Sequence, residues 1–405
     1  MAYANSSARF GSVSKSLHWL TVLLIFTVIP LGILAHDHAY DTSEALATKA
    51  LLFSLHKTVG ITIFFVALAR IAWALSQPKP GLLHADRKVE SWLAETVHWL
   101  LYASLVLVPL TGWIHHAATE GFAPIWWPFG QSLPFVPKDE GLASTFAALH
   151  MVFERVMVIS ILLHIAGALK HHFIDKDATL RRMLPGRAEV PNVGGHSRQI
   201  IPMVTAVGAY ILAIGIGVGV GAFAQKSTAS DVAALAEVET GWQVQEGTLG
   251  ISVVQMGSSV EGSFADWTAA IEFSETAADG KHGTVEVTIA IGSLTLGSVT
   301  DQAMGAEFFD AGQFPTATFA ADILPGEAGG YIAEGSLTLR GKEVPVTLPF
   351  TLSLDGDTAV MEGTTTLDRR NYDIGIPSYS DESSVGFSVP VTVNLTATRS
   401  DASGA

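Results

Sequence analysis

The sequence predicts a membrane α-helical bundle of four helices with a fifth tethering transmembrane helix, followed by an all-β antiparallel barrel. Three observations predict it. Five apolar runs of about the length that a bilayer core requires lie within residues 1–225. Residues 1–199 hold 16 Lys/Arg against 13 Asp/Glu (net +3), whereas residues 200–405 hold 7 against 25 (net −18). From about Gly241 the hydrophobic period becomes two. The acidity argues against nucleic acid as a partner, and the lack of cysteine excludes disulfides, thiolate metal sites and c-type haem attachment. Any metal must be held by His, carboxylate or Met.

The first run, Leu17 to Ala35, carries His18 near its start and no charge. The second, Leu51 to Leu75, has His56-Lys57 at its beginning and Arg70 near its end; the third, Trp92 to Ile114, holds His98, Pro109 and Gly112. Transmembrane helices tolerate such Pro and Gly. The fourth, Ser144 to Phe173, carries His150 and His164, and the fifth, Ile200 to Phe223, has neither charge nor histidine. Lys and Arg collect before the first run (Arg9, Lys15), between the second and third (Lys79, Arg87, Lys88) and after the fourth (Lys170 through Arg198), so these segments are expected to be cytoplasmic. Trp126-Trp127 in the intervening 115–143 loop reads as an interfacial anchor. A fifth crossing then places everything beyond Gln225 on the outer, periplasmic side.

An ionisable side chain inside a membrane span is by default a functional-site hypothesis. Fourteen residues separate His150 from His164, ~21 Å along a helix and just under four turns, so both point to nearly one face at two depths. Matching depth pairs His18 with His164 near the inner face and His56 with His150 near the outer face. Two transverse bis-histidine sites are what two b-type haems need, since each iron takes an imidazole from either side of the macrocycle. His98 also lies near the inner face and competes with His18. Solvation is the simpler reading of His115 and His116, and an interfacial position that of His171 and His172. A zinc site or proton relay is the alternative chemistry, but no H-E-x-x-H spacing or carboxylate cluster accompanies these histidines.

The segments Ser12–Leu20 (SVSKSLHWL), Ser54–Phe64 (SLHKTVGITIF), Val97–Trp113, Ala148–Glu154 (ALHMVFE) and Leu162–Gly186 (LLHIAGALKHHFIDKDATLRRMLPG) resemble the bacterial cytochrome b561 family over residues ~9 to 187. The resemblance implies a four-helix di-haem quinone oxidoreductase of the inner membrane. It implies haem b on His18/His164 and His56/His150, no iron bond for His98, and the membrane quinone pool as one redox partner. Superoxide is one candidate for the second redox partner.

Gly186 to Gln199 is a polar linker, and Gly215 to Gly221 in the fifth run fits helix–helix contact through small residues. The exit Ala222-Phe223-Ala224 has the small-x-small form of a signal peptidase site. The apolar stretch of about 22 residues exceeds the roughly 7–15 of a signal-peptide core, so the anchor is expected to stay intact.

Beyond Gly241, Val285, Val287, Ile289 and Ile291 alternate, as do Phe387 through Ala397, in the manner of half-buried antiparallel strands. Roughly eight such runs suggest a closed barrel, with Pro390 marking a bulge or edge. Eight strands can just enclose a ligand. The segments EGSFADWTAAIEF (Glu261–Phe273), AEFFDAGQFPTATF (Ala306–Phe319), GSLTLRGKEVPVTLPF (Gly335–Phe350) and TTLDRRNYDIGIPS (Thr365–Ser378) resemble the YceI family. That resemblance implies a lipocalin-like periplasmic barrel for an isoprenoid lipid, including isoprenoid quinones. Alternate strand positions make Val285, Val287, Ile289, Val391 and Val393 candidates for its lining, with Phe308, Phe309, Phe314 and Phe319 near a mouth.

The expected division is 1–187 for the di-haem transmembrane domain, 188–225 for linker and fifth helix, 226–240 for a periplasmic linker and 241–400 for the barrel. Two functions follow as expectations: a membrane electron-transfer protein linked to quinone, or a non-enzymatic isoprenoid or quinone carrier anchored by its cytochrome half.

Overall fold

The computed structural model describes residues 2–84, 86–119, 123–186, 200–224, 235, 238 and 240–400. The linker expected at 188–199 and most of Gln225–Thr240 therefore lie outside the described residues, as do Arg187, His196 and Arg198. The chain forms two compact units, one of residues 1–37, 51–119 and 124–225, the other of residues 38–50, 120–123 and 226–405.

Five helices, α1 Ser12–Asp37, α2 Ser43–Ser76, α3 Lys88–Ala118, α4 Glu140–Phe173 and α5 Ile200–Gly219, are long and apolar enough to cross a membrane. The first four helices outrun their apolar runs because polar flanks continue the backbone ladder. At α4, for example, the Asp139 carboxylate caps the first turn by accepting from the Leu142 N–H at 2.6 Å. Leu23, Leu162 and Ile211 are largely exposed on these helices, as side chains facing lipid would be.

α5 does more than tether. Its Tyr210 is buried against α3, donating to the Leu100 carbonyl at 3.0 Å and sharing a 2.6 Å hydrogen bond with Ser104, while Ala206 joins the cluster of Leu100, Phe153 and Met157. Gly217 comes so close to Val152 of α4 that a Cβ there would stand 3.0 Å from it. The helix stops at Gly219 rather than Phe223, since the chain turns at Gly221 with φ +75.

Among its described residues the second unit contains ten strands in one antiparallel sheet: β1 Trp242–Gln255, β2 Ser258–Phe264, β3 Trp267–Ala278, β4 Lys281–Ala290, β5 Leu294–Thr295, β6 Thr316–Pro325, β7 Tyr331–Leu339, β8 Lys342–Asp355, β9 Thr358–Asp368 and β10 Ser388–Arg399. Their order is β3-β4-β6-β7-β8-β9-β10-β1-β2-β5, and a short helix, α6, covers Thr300–Met304. The sequence expectation of about eight strands and closure is corrected here. Among the described residues the ladder stays open between β3 and β5, and the approach to β1 is fastened to β3 by Thr240, whose hydroxyl donates to the Ile271 carbonyl at 2.8 Å.

Three hairpins turn on dipeptides with both φ positive, Met256-Gly257, Asp279-Gly280 and Arg340-Gly341. That is the type I′ geometry whose twist matches the strands. Pro390 makes no bulge: it pairs with Thr366 of β9, one residue beyond the last pair of β10 with β1 (Val391–Ile251), so its missing N–H interrupts no ladder on that side.

The inner face of the curled sheet gathers Leu249, Ile251, Phe264, Ile291, Leu294, Leu337 and Leu339 into the main core of the unit. The segment from Arg369 to Gly386 is bonded to the end of β1, through Met256 N–H to the Ser384 carbonyl and Gly386 N–H to the Val254 carbonyl. Arg369, 3% exposed, holds that segment together from inside.

Candidate functional site

The structure brings the four sequence-predicted histidines together in two pairs. His56 of α2 faces His150 of α4 with ring centroids 6.4 Å apart, and His18 of α1 faces His164 of α4 at 6.2 Å. With metal–nitrogen bonds of about 2 Å and about 1.1 Å from a ring nitrogen to its centroid, a metal held symmetrically between two imidazoles sets their centroids about 6.3 Å apart. Both pairs match that span, so the donor set fits a bis-histidine haem iron. His98 of α3 stands 5.2 Å from His164, about 1 Å short of it.

The outer pair is oriented by backbone. His56 Nδ1 lies 2.9 Å from the Val28 carbonyl, and His150 Nδ1 lies 2.8 Å from the Val108 carbonyl. A ring nitrogen facing a carbonyl must carry the proton, which leaves Nε2 with a free lone pair. Each carbonyl belongs to a residue one helical turn before a glycine, Gly32 or Gly112. A Cβ on Gly32 would stand 2.8 Å from His56 Cε1, and one on Gly112 would stand 2.9 Å from His150 Nδ1. These glycines are therefore seats for the imidazoles, which the sequence reading missed. The available signal was the pair Pro30-Leu31-Gly32 and Pro109-Leu110-Thr111-Gly112, one in each of two helices.

The inner pair is built differently. Arg70 of α2 places Nη2 3.2 Å from His18 Nδ1 and stacks over the Tyr102 ring at 5.3 Å. His84, between α2 and α3, and His171, expected at the interface, stack at 6.1 Å and share the Asp177 carboxylate at 3.1 and 2.7 Å. Lys170 and Arg87, in that order of effect, hold the neighbouring Asp175 carboxyl below the usual range. His115 and His116 are half-buried rather than solvated: His115 Nδ1 bonds the Ala143 carbonyl at 2.8 Å, and the two rings lie 4.6 Å apart.

In the second unit a cavity of ≈ 270 Å³ runs inside the sheet. A single water needs about 10–15 Å³ of such space, so this is more than a packing defect. Val285, Val287, Ile289, Val391, Val393, Phe308, Phe309 and Phe319 all line it. Phe314, expected near a mouth, is not among the lining residues; its ring covers Gly341 in the β7–β8 turn at 3.0 Å from where a Cβ would sit. The wall also contains Trp267, Leu337 and the polar residues Gln255 and Tyr372, which alternation alone did not single out.

Comparison with known proteins yields matches to each unit. Residues 9–186 match the family described as prokaryotic cytochrome b561, and residues 241–397 match the YceI-like domain. Cytochrome b561 homolog 2 of Escherichia coli (strain K12) is 31% identical over 186 residues, covering 45% of this chain and 95% of that protein. A protein of Yersinia pestis described as "Probable superoxide oxidase CybB" is 26% identical over 183 residues, covering 44% and 96%. Among solved structures, Burkholderia cenocepacia BcnA is 31% identical with a TM-score of 0.36, covering 38% of this chain and 96% of that one.

Proposed function

The chain belongs to the prokaryotic cytochrome b561 family through residues 9–186 and carries a YceI-like domain at 241–397, and from that premise we propose that it moves electrons between the membrane quinone pool and a second redox partner, with its barrel carrying an isoprenoid lipid. The observation that carries this reading is the span of the two imidazole pairs, 6.2 and 6.4 Å. His18 and His164 would hold one b-type haem and His56 and His150 the other. A b haem with two imidazole ligands supplies one-electron transfer and leaves no open coordination position for oxygen chemistry. The protein's part is orientation. The Val28 and Val108 carbonyls fix the tautomer of the outer imidazoles, and Gly32 and Gly112 let the rings approach the neighbouring helix backbones.

The distribution of Lys and Arg supports a plasma-membrane protein with a cytoplasmic N-terminus and a periplasmic barrel. Superoxide is the first second-partner candidate, because a relative's description names that activity. The cavity favours a lipid-carrying role for the barrel alongside electron transfer, and the expected ligand is an isoprenoid, including the tail of a quinone.

The test uses the full chain in lipid nanodiscs, with haem reduction followed by absorbance. Addition of superoxide is expected to reduce the protein, and a short-chain ubiquinone to reoxidise it over many turnovers. A protein that binds haem but turns over with neither a quinone nor a quinol would be a carrier, and one that binds no haem would overturn the reading.

Gly112→Val is expected to push the His150 ring aside and lower bound haem per chain, because its branched Cβ would begin 2.9 Å from Nδ1. Gly60→Val is the control, since a Cβ at Gly60 meets nothing within 4 Å. Equal haem content in the two variants would show that the seat is unimportant.

A further inference from the structure

The apolar run of α2 carries two cations, Lys57 and Arg70, and they stand at different imidazole pairs. A charge inside a membrane span is a functional-site hypothesis. Arg70 is half-buried, with Nη2 3.2 Å from His18 Nδ1 and the guanidinium over the Tyr102 ring at 5.3 Å. The aromatic face steadies the cation without neutralising it. Among the described residues the carboxylates of the first unit form ion pairs with Lys79, Arg87, Arg155, Lys170 and two histidines, and none with Arg70. Arg70 is the charged side chain that acts on both His18 and His164.

The outer pair is surrounded differently. His56 and His150 each donate Nδ1–H to a carbonyl, of Val28 at 2.9 Å and of Val108 at 2.8 Å, and such a donation leaves a ligand imidazole more basic. The charges that act there have opposite signs, the Lys57 ammonium on His56 and the Glu154 carboxylate on His150. At the inner pair, among the described residues, neither His18 nor His164 bonds a carbonyl, and the guanidinium that His18 meets offers only donors. Hydrogen bonding around the axial ligands and the local dielectric are levers by which a protein sets the potential of a haem. More basic ligands favour the oxidised iron, whereas a nearby cation favours the reduced iron, which carries one positive charge fewer.

We propose that Arg70, lying beside His18 without a counter-ion, holds the haem site of His18 and His164 at the higher of the two potentials and so directs electrons from the outer pair to the inner. The proposal rests on the reading of both pairs as bis-histidine haem sites. The exchange it directs is of one electron, lost at the outer site and gained at the inner, with no bond made or broken. Arg70 itself touches a ligand and not the iron, so its part is to set the field in which that ligand works.

The test is a redox titration of the full chain in lipid nanodiscs, with haem absorbance read against the set potential. The parent protein is expected to show two one-electron waves at least tenfold apart in equilibrium constant, which is about 59 mV for one electron. His150→Ala protein keeps the His18/His164 haem alone and should titrate with the higher wave. Arg70→Gln should lower that wave by roughly tenfold in equilibrium constant and leave the other in place, the order of effect of one charge at low dielectric. Arg70→Lys keeps the charge and should recover part of the shift, which a residue that only packs the helices would not do. A single wave for both haems, a His150→Ala potential that matches the lower wave, or an unchanged or raised potential in Arg70→Gln overturns the proposal. The parent and His150→Ala titrations decide the order of the two sites even where Arg70→Gln fails to retain its haem. A parent protein without haem instead overturns the bis-histidine reading beneath it.

Discussion

His150→Ala protein is expected to carry about one haem per chain instead of two, with the remaining haem spectroscopically unchanged. His56→Ala should do the same, and His18→Ala or His164→Ala should remove the other haem. The reasoning is that α4 contributes to both sites at positions ~21 Å apart along the helix, so losing one imidazole leaves the other pair untouched. A haem iron with one of its two axial imidazoles removed loses its six-coordinate site. His98→Ala is the discriminating control. His98 lies closer to His164 than His18 does, 5.2 against 6.2 Å, but only the longer distance spans an iron. Pyridine haemochrome assay and the reduced-minus-oxidised spectrum of each purified variant measure the outcome. Loss of a haem in His98→Ala with retention in His18→Ala would reassign the inner site.

The histidine pairs were legible because two independent regularities coincide. Helical geometry sets the spacing of His150 and His164, and the high energy of an imidazole in hydrocarbon makes each intramembrane histidine conspicuous. Gly32 and Gly112 were not legible as seats. Each meets a ring from another helix, 24 residues away for Gly32 and His56 and 38 for Gly112 and His150, and such an approach exists only once the helices pack. The same holds for the His84–Asp177–His171 group, where His84 before α3 meets Asp177 after α4 across 93 residues.

In the barrel the period of two placed Val285, Val287, Ile289, Val391 and Val393 on the inner face, because strand alternation is local. The number of strands was less legible. β5 has only two residues, and β2, Ser258–Phe264, carries only two large apolar side chains, Val260 and Phe264. Phe314 precedes Pro315 in an irregular stretch before β6, where no period relates it to the strands.

Arg369→Ala is expected to destabilise the second unit by about 3–5 kcal/mol, the order expected when several buried carbonyls lose their donor at once. The guanidinium donates from Nε to the Gly386 carbonyl at 3.0 Å, from Nη1 to Ile374 at 2.8 Å, and from Nη2 to Tyr379 at 2.6 Å and Val385 at 3.0 Å. Its planar fork thus ties together four carbonyls spread over 374–386, in a segment with little regular ladder of its own. Alanine would leave those acceptors facing a void, and each unsatisfied buried carbonyl costs about 1–3 kcal/mol before relaxation. Arg369→Lys should recover little, because a single ammonium cannot reach acceptors arranged around a plane. Since whole domains are stable by only about 5–15 kcal/mol, the loss would open the 369–386 segment and the adjoining end of β1 first. Hydrogen exchange of the full chain, read by mass spectrometry, measures it: peptides covering 369–386 and 250–256 should exchange roughly 10²–10³-fold faster in the variant, while those from α3 and α4 stay as they were. Unchanged protection over 369–386 would mean that the segment is held by its apolar contacts, with Arg369 merely filling the space between them.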